Sequence, residues 1–402
     1  MWYDRLKSED GLFHFHIELT TKCNAGCPIC PRHVKNTSIR TSRIDLSEIT
    51  LEQVKDWFPP ELTQKIGSIN FCGNFGDPCS CKDLYEIVEY FHLNNKNTII
   101  EIRTNGGAKP VVFWEKLGNL SKDSDKKVSV VFSVDGLEDT NDLYRKNVKW
   151  NILDRNIRTY TKNGGIGFQE FLIFNHNEHQ IEEAAEQNTE WGLKYITYKQ
   201  AFGFENFVEG EQKPYPVYDN KGHFEYFLKP SMEYNNSTLP FNPDVSGVPT
   251  HINTMRDFLD HKEQYGEDVL DVQGFDMYSN LESLNISCQA ETDHGGRLEV
   301  YINAFGDVRP CCHTGIEADR DINSHESSQL RKILTPKFSF NLKTNTFENI
   351  MKLIDEKFVN KWETTHEGGK CLKCSIQCGR VHQSNSTRLY GADFAIKEKM
   401  GY

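Results

Sequence analysis

The sequence predicts an α/β protein in which a partial (β/α)6 TIM-like barrel is followed by a smaller α+β domain. From residue 13 to about 202, short β-branched runs alternate with helical patterns, which is typical of βαβ units and a parallel sheet. A second region, rich in cysteine, begins near residue 287 with a hairpin pattern. The 402 residues also exceed what one hydrophobic core usually holds, about 250–300 residues, so we expect two domains.

The barrel region contains six predicted strands. They are FHFHIEL (13–19), SINFCG (68–73), NTIIEIRTN (97–105), VSVVFSVDG (128–136), GFQEFLIFN (167–175) and KYITYKQAF (194–202). The helices between them carry end signals. Thr50 and Gln53 form a capping-box pattern at a helix start, and Gly164 with Gly165 ends the helix that begins near Asn151.

One face of these strands is apolar and the other is polar. In the first strand His14, His16 and Glu18 alternate with apolar residues, and in the third Glu101 and Arg103 do so. Strands buried on both faces by apolar packing would read as continuous apolar runs. A curved sheet with helices outside and a polar, ligand-bearing interior explains the alternation. Exposed edge strands would explain it for one or two of the six.

The domain boundaries follow from where the alternation stops. We assign 1–205 to the barrel, 206–286 to a connector or insertion with one helix at 251–262, and 287–402 to the second domain. The second domain should contain a hairpin over 297–311 and a helix after Thr346.

Composition and charge narrow the class of protein. The formal charge of −12 argues against nucleic acid or an anionic membrane as the main partner, because both select clustered Lys and Arg. The N-terminus lacks an apolar signal core and no apolar run is long enough to span a bilayer, which predicts a cytoplasmic protein. Twelve cysteines in a reducing compartment indicate metal or cluster ligation rather than disulfides.

The stretch CNAGCPICPRH follows the first strand and places Cys23, Cys27 and Cys30 in a C-x3-C-x2-C spacing. Three thiolates can hold three irons of a [4Fe-4S] cluster and leave the fourth iron open. A zinc site closed by His33 is equally consistent with this fragment. The fragment alone leaves both alternatives open.

CNAGCPIC resembles the cluster motif of the radical S-adenosylmethionine (SAM) superfamily, whose open iron chelates the amino and carboxylate groups of SAM. GNFGDP (73–78), TNGG (104–107) and SVDG (133–136) resemble, in order, the family's strand ends that face SAM. The resemblance favours the open three-cysteine site and leaves His33 as a loop residue nearby. It implies SAM contacts from Gly73, Asn74, Gly76, Asp77, Asn105, Ser133, Asp135, Arg145 and Asn175, with Gln200 as a further candidate. Asp77 departs from the family's Gly-Gly-Glu pattern.

The second cysteine set resembles the SPASM and twitch domains that hold auxiliary [4Fe-4S] clusters. Gly306 and Cys311 give G-x4-C, and Cys371 with Cys374 gives C-x2-C. The shortened final group, C-x2-C-x3-C, implies one twitch-type cluster. The expected ligands are Cys288, Cys311, Cys371 and Cys374, with Cys312 and Cys378 as alternatives. A structural zinc site on four thiolates remains an alternative.

The resemblance implies an enzyme that cleaves SAM reductively to a 5'-deoxyadenosyl radical and abstracts hydrogen from a substrate, leading to oxidation or a related modification. Relatives act on peptides, protein side chains, sugars and aminocyclitols, and an electron donor such as flavodoxin or ferredoxin is expected. No catalytic residue is assigned, although His16, Glu18, Glu101 and Arg103 are candidates for positioning or proton transfer. The competing hypotheses are a zinc-stabilised scaffold protein and an iron-sulfur electron carrier.

Overall fold

The computed structural model describes residues 1–201, 207–208, 211–212, 214–234, 285–286, 288–292, 297–319 and 325–380. The predicted helix at 251–262, and most of the predicted connector, lie outside these residues. Contacts divide the chain into two units. The first is formed by Met1–Phe15, Val245–Ile302 and Gly306–Gly401, and the second by His16–Asp244 with Asn303–Phe305.

The second unit contains the six expected strands. These are β1 (Phe13–Ile17, whose first three residues belong to the first unit), β2 (Ile66–Phe71), β3 (Ile99–Thr104), β4 (Val128–Ser133), β5 (Ile166–Ile173) and β6 (Ile196–Gln200). They lie side by side in sequence order, and the pairs from β2 to β6 are parallel. The predicted α/β fold with six barrel strands is confirmed.

Helices connect the strands, as a parallel sheet requires. They are α2 (Leu51–Trp57), α3 (Pro60–Thr63), α4 (Leu84–Asn94), α5 (Val111–Asp123), α6 (Asn141–Tyr144), α7 (Trp150–Lys162) and α8 (Ile181–Glu190), after α1 (Trp2–Lys7) in the first unit. The capping box is confirmed, because Thr50 and Gln53 exchange both hydrogen bonds. Gly164 follows α7 with a φ of +89°, a conformation that glycine adopts without strain.

The predicted two-sided character of the strands is also observed. On the helix side of the sheet, Phe132 of β4 is fully buried against Trp114 of α5 and Tyr160 of α7, with ring centroids 5.6 and 5.9 Å apart. On the other side, Arg103 of β3 reaches across β4 to Glu170 of β5. We call this second side the polar face; it also carries Glu101 of β3 and Lys199 of β6.

The remaining elements of the second unit form hairpins after β6. They are β7 (Phe207–Val208) with β8 (Glu211–Gln212), and β9 (Tyr215–Tyr218) with β10 (Phe224–Leu228). The hairpin β9–β10 is hydrogen-bonded to the segment that follows the three cysteines, since the Tyr218 amide donates to the Asn36 carbonyl over 3.0 Å.

The first unit combines short strands with helices, as predicted. Its strands are β11 (Asn285–Ile286), β12 (Leu298–Ile302), β13 (Val308–Arg309) and β14 (Gly379–Arg380). Its helices after α1 are Gln289–Thr292, Cys312–Asp319, His325–Ile333, Phe347–Lys357 and Leu372–Cys378. The predicted hairpin is present as the antiparallel pair β12–β13, and Thr346 caps the predicted helix by accepting from the Asn349 amide.

The N-terminal residues belong to a different unit from the one that the sequence predicts. Residues Met1–Phe15 group with the first unit, whereas the sequence placed them with the barrel; the functional assignment of the three predicted segments stays a prediction. Among the described residues, no helix has both the length and the hydrophobicity that crossing a bilayer requires.

The packing of Phe132 gives a test of the helix-facing core. Phe132→Ala should lower the free energy of unfolding by about 3–5 kcal/mol, because the large side chain leaves a cavity between the two helices. Urea unfolding followed by circular dichroism measures the change. Val112→Ala, at a position of α5 that is 53% exposed, serves as the control and should have little effect. Equal effects of the two substitutions would contradict this account of the core.

Candidate functional site

The cysteine loop leaves the sheet at the carboxyl end of β1 and folds by local turns. The Cys30 amide donates to the Cys27 carbonyl over 3.1 Å, and the Ala25 amide donates to Cys23 Sγ over 3.3 Å. The loop is held from outside at Gly26, whose amide donates to the Lys146 carbonyl and whose carbonyl accepts from Ser38 Oγ, both over 2.7 Å. A side chain at Gly26 would meet Ser38 and Asn147 at 2.8 Å, so the close approach requires glycine.

The three thiols of this loop are close enough to influence one another electrostatically. Burial raises the pKa of the Cys23, Cys27 and Cys30 thiols, and the pKa of Cys23 and of Cys30 is raised further by the Cys27 thiolate. Arg145 opposes this effect at Cys27. Neighbouring buried thiolates repel one another unless a cation binds them, so this group has the donor chemistry of a soft-metal or iron-sulfur site.

His33 does not complete this group of thiols. Its Nδ1 lies 3.0 Å from the Cys27 carbonyl oxygen, and its Nε2 lies 3.2 Å from Nη1 of Arg32. Burial lowers the pKa of His33, and the neighbouring Arg32 lowers it further. Both ring nitrogens therefore contact protein groups, and the geometry does not support the zinc site closed by His33.

The glycine loop, Gly73–Pro78, follows β2 and lies against the backbone that leads into the cysteine loop. Glu18 Oε1 accepts from the amides of Phe75 (2.5 Å) and Gly76 (3.0 Å), and the Asp77 amide donates to the Lys22 carbonyl over 2.8 Å. The glycine loop, which contains the candidates Gly73, Asn74, Gly76 and Asp77, is therefore held against residues 18–22, directly before Cys23.

Asp77 joins the glycine loop to the end of β3. Its carboxylate accepts from Thr104 Oγ1 and from both the backbone and side-chain nitrogens of Asn105, at 2.7–2.8 Å, and from the Cys79 amide at 2.9 Å. Burial raises the pKa of Asp77, while these donors lower it. Asn105 also exchanges hydrogen bonds with Asn24, which the sequence analysis missed because no spacing distinguishes a single polar residue inside the cysteine loop.

Two of the candidate residues after β4, Asp135 and Arg145, form an ion pair with each other. Arg145 Nε donates to Asp135 Oδ2 over 2.5 Å, and Asp135 Oδ1 accepts from the Leu172 amide over 2.7 Å. Asp135 is fully buried, which by itself raises its pKa, and Arg145 counters that effect. Ser133 is the last residue of β4 and is half-buried. Because Arg145 also forms a side-chain hydrogen bond with Cys27, its guanidinium lies between Asp135 and the cysteine loop.

The last two candidate residues, Asn175 and Gln200, lie at the carboxyl ends of β5 and β6. Asn175 Nδ2 donates to Glu178 Oε1 over 2.7 Å, and its amide donates to the Lys229 carbonyl. Gln200 Nε2 approaches the Tyr234 carbonyl at 3.5 Å. These contacts connect β5 and β6 to residues 229–234, so a direct role of Asn175 in binding a cofactor stays a prediction.

Two buried amide groups fit a polar ligand at this edge of the sheet. Within the described residues, Asn70 Oδ1 and Asn74 Nδ2 are buried and have no hydrogen-bond partner. Buried polar atoms are nearly always paired, so a bound molecule with polar groups would satisfy them. Asn74 lies inside the glycine loop and Asn70 lies on β2 just before it.

The polar face carries a chain of charged groups. Arg103 Nη2 lies 2.6 Å from Glu101, Arg103 Nη1 contacts Glu170, and Lys199 Nζ lies 2.6 Å from Glu170. Burial acts to raise the pKa of Glu170, but Arg103 and Lys199 outweigh it and lower the pKa to about 2. The sequence analysis missed Glu170 and Lys199, although each occupies a polar-face position of its strand.

Five cysteines lie together in the first unit. Cys378 contacts Cys288 and raises its pKa, and the pKa of Cys374 is raised by its contact with Cys371 and, after burial, by Cys371, Cys311 and Cys288. The four predicted ligands are therefore near one another, and Cys378 lies with them. Cys312 begins the helix Cys312–Asp319, and its amide donates to Glu299 over 3.0 Å.

The fold and the thiol group define an α/β protein with a cysteine-rich site at the carboxyl ends of its strands. Residues 17–187 match the model of the Radical SAM superfamily. An uncharacterized protein of Methanocaldococcus jannaschii, MJ0907, is 31% identical over 196 residues. The match covers 47% of this chain and 63% of that relative.

Solved structures share a distant overall likeness with the chain. Streptococcus suis SuiB bound to S-adenosylmethionine is 14% identical, with a TM-score of 0.45, covering 80% of this chain and 64% of that one. Native anSMEcpe with bound AdoMet is 14% identical, with a TM-score of 0.46, covering 97% and 96%. BtrN in complex with AdoMet and 2-DOIA is 13% identical, with a TM-score of 0.39, covering 94% and 98%.

The low pKa of Glu170 predicts how stability depends on pH. Its folded value lies below the ordinary 4.5, so the stabilisation from its ion pairs is present above that pH and is lost as the pH falls toward 2. In urea unfolding of the metal-free protein, the stability advantage of the wild type over Glu170→Gln should shrink across this interval. Glu182→Gln, at an exposed position of α8, is the control. A difference in unfolding free energy between the wild type and Glu170→Gln that stays constant with pH would contradict the low pKa of Glu170.

Proposed function

We propose that the chain is a radical SAM enzyme whose [4Fe-4S] cluster is held by Cys23, Cys27 and Cys30. The observation that carries this proposal is the group of three thiols, one buried and two half-buried, beside the glycine loop at the carboxyl end of the parallel strands. The family match on residues 17–187 spans all of these residues and supports the same reading. When bound, the reduced cluster supplies one electron that cleaves a carbon-sulfur bond of SAM, giving methionine and a 5'-deoxyadenosyl radical.

In this proposal, the strand ends bind the amino acid part of SAM. Backbone carbonyls of the glycine loop, which contains Gly73, Asn74 and Gly76, take the amino group, while Asp77 and Asn105 keep their loops in place. Ser133 and Arg145 take the carboxylate, because a guanidinium suits a planar anion. Asp135 holds Arg145 for this contact through their ion pair. The buried setting keeps water from the reacting groups.

We further propose an auxiliary [4Fe-4S] cluster in the first unit, on Cys288, Cys311, Cys371 and Cys374. The proximity of these thiols supports it, since four thiolates are the usual ligand set of such a cluster. Cys378 lies in the same group and is the alternative ligand. Four thiolates also suit a closed zinc site, and metal analysis separates the two.

The proposed substrate is a peptide or protein side chain, a sugar or an aminocyclitol, from which hydrogen is abstracted in an oxidation or related modification. The charged polar face supports a substrate with hydrogen-bonding groups. We propose a cytoplasmic enzyme served by an electron donor such as flavodoxin or ferredoxin. Transfer of deuterium from a labelled candidate substrate into 5'-deoxyadenosine would identify the substrate.

Anaerobic reconstitution with iron and sulfide tests the proposed activity. We expect a brown protein with about eight irons per chain, as two [4Fe-4S] clusters require. With a reductant it should convert SAM to 5'-deoxyadenosine, which chromatography detects. A colourless, zinc-loaded protein that never cleaves SAM would instead support the zinc-stabilised scaffold and refute the proposed function.

Single-cysteine variants test the two ligand sets separately. Cys30→Ala should abolish SAM cleavage, because the first cluster loses one of its three thiolates. Cys374→Ala should keep the first cluster and lose the second. Cys81→Ala is the matched control, since Cys81 is a fully buried thiol near Ile49 and outside both sets. Iron content and electron paramagnetic resonance measure each cluster. Retention of both clusters in Cys374→Ala would refute that ligand assignment.

A further inference from the structure

We propose that Glu18 is a positioning residue that orients the glycine loop to bind the amino group of SAM. This inference rests on the proposed function and assigns to one side chain a task that the motif itself does not contain. Glu18 follows the last residue of β1, five positions before Cys23, and is only 1% exposed. Its position lets it act on the loop after β2 from the neighbouring strand.

The contact consists of one carboxylate oxygen and two consecutive amides. Glu18 Oε1 accepts from Phe75 N at 2.5 Å and from Gly76 N at 3.0 Å. Hydrogen bonds from neutral donors to a buried carboxylate are stronger than those between neutral groups. Two such bonds on adjacent peptide units fix the rotation of both units at once.

The orientation of the loop carbonyls follows from the planarity of the peptide group. In a trans peptide the N–H of one residue and the C=O of the preceding residue point in opposite directions. Because the amides of Phe75 and Gly76 point toward Glu18, the carbonyls of Asn74 and Phe75 point away from it. Two parallel acceptors on one side of a loop are suited to an ammonium group, which carries three donors.

The glycines allow the loop to come this close. A Cβ at Gly73 would lie 2.0 Å from the carbonyl oxygen of Gly76, and a Cβ at Gly76 would lie 1.8 Å from that of Thr20. The loop therefore turns back on itself and rests on the backbone after β1. Glu18, Thr20 and Lys22, at every second position, all touch it.

Asp77 cannot perform the same task, although it occupies the acidic position of the motif. Its two oxygens accept from Thr104, Asn105 and Cys79. These contacts hold the end of the loop to β3. The two carboxylates thus have separate roles, because Asp77 anchors the end of the loop and Glu18 sets its middle.

The experiment compares the affinity of reconstituted variants for SAM and for 5'-methylthioadenosine, which lacks the amino acid part. Glu18→Ala should bind SAM about tenfold more weakly, a loss of about 1.4 kcal/mol, and should bind 5'-methylthioadenosine as the wild type does. Glu18→Gln should bind both like the wild type, because its amide oxygen still accepts from the two N–H groups. Equilibrium dialysis under anaerobic conditions gives the dissociation constants.

Two more variants control the comparison. Asp83→Ala removes a carboxylate that accepts from the Leu51 amide, over 3.1 Å, away from the loop and should leave both affinities unchanged. Glu18→Asp keeps the charge but shortens the side chain by one methylene. It should therefore also weaken the binding of SAM and leave the binding of 5'-methylthioadenosine unchanged. This variant gives the same test if Glu18→Ala does not fold.

The outcomes separate the inference from the proposed function. If wild-type protein takes up its cluster and binds SAM, equal affinities in Glu18→Ala overturn the inference and leave the function intact. Parallel weakening of SAM and 5'-methylthioadenosine also overturns it, because Glu18 would then only maintain the fold. If the wild type itself takes up no cluster and binds no SAM, the proposed function fails.

Discussion

The short backbone segment from Glu18 to Lys22 holds the two loops on which the site depends. On one side it continues into the three-cysteine loop, and on the other it contacts the glycine loop through a side chain and two carbonyls. The loops come from different strands, so their relative position is fixed by these contacts rather than by the chain connection. Parallel strands make this arrangement possible, because their carboxyl ends meet at one edge of the sheet.

The polar face of the sheet carries charged side chains whose burial costs desolvation free energy. Apolar side chains could fill this space, whereas Glu101, Arg103, Glu170 and Lys199 must be desolvated and paired. Buried ion pairs of this kind often contribute little to stability compared with apolar packing. The ion pairs join two acidic and two basic side chains, so the formal charges of these four residues offset one another.

The sequence could predict the features that depend on local pattern. The six strands, the capping box at Thr50 and the hairpin before Cys311 all carry short-range signals, and the structure contains each of them.

The contacts of Glu18 with Phe75 and of Asn24 with Asn105 could not be predicted, since they join residues far apart in sequence with no spacing rule. The same reason left Glu170 and Lys199 unnoticed, because each pairs with a residue on another strand. His33 shows that spacing can also suggest a ligand that the fold does not supply. Its spacing from the cysteines is compatible with a metal site, but both of its ring nitrogens contact protein groups.

The glycine loop has a consequence for how such sites diverge among proteins. Its outward acceptors are main-chain carbonyls of Asn74 and Phe75, so neither side chain is needed to present them. A mutation at either position preserves these acceptors as long as the small residues at Gly73 and Gly76 and an acceptor at position 18 remain. Substitutions can therefore change the Gly73–Pro78 motif while the two carbonyls stay in place, and a search that also requires an acceptor at the position of Glu18 would detect cases that a contiguous pattern overlooks.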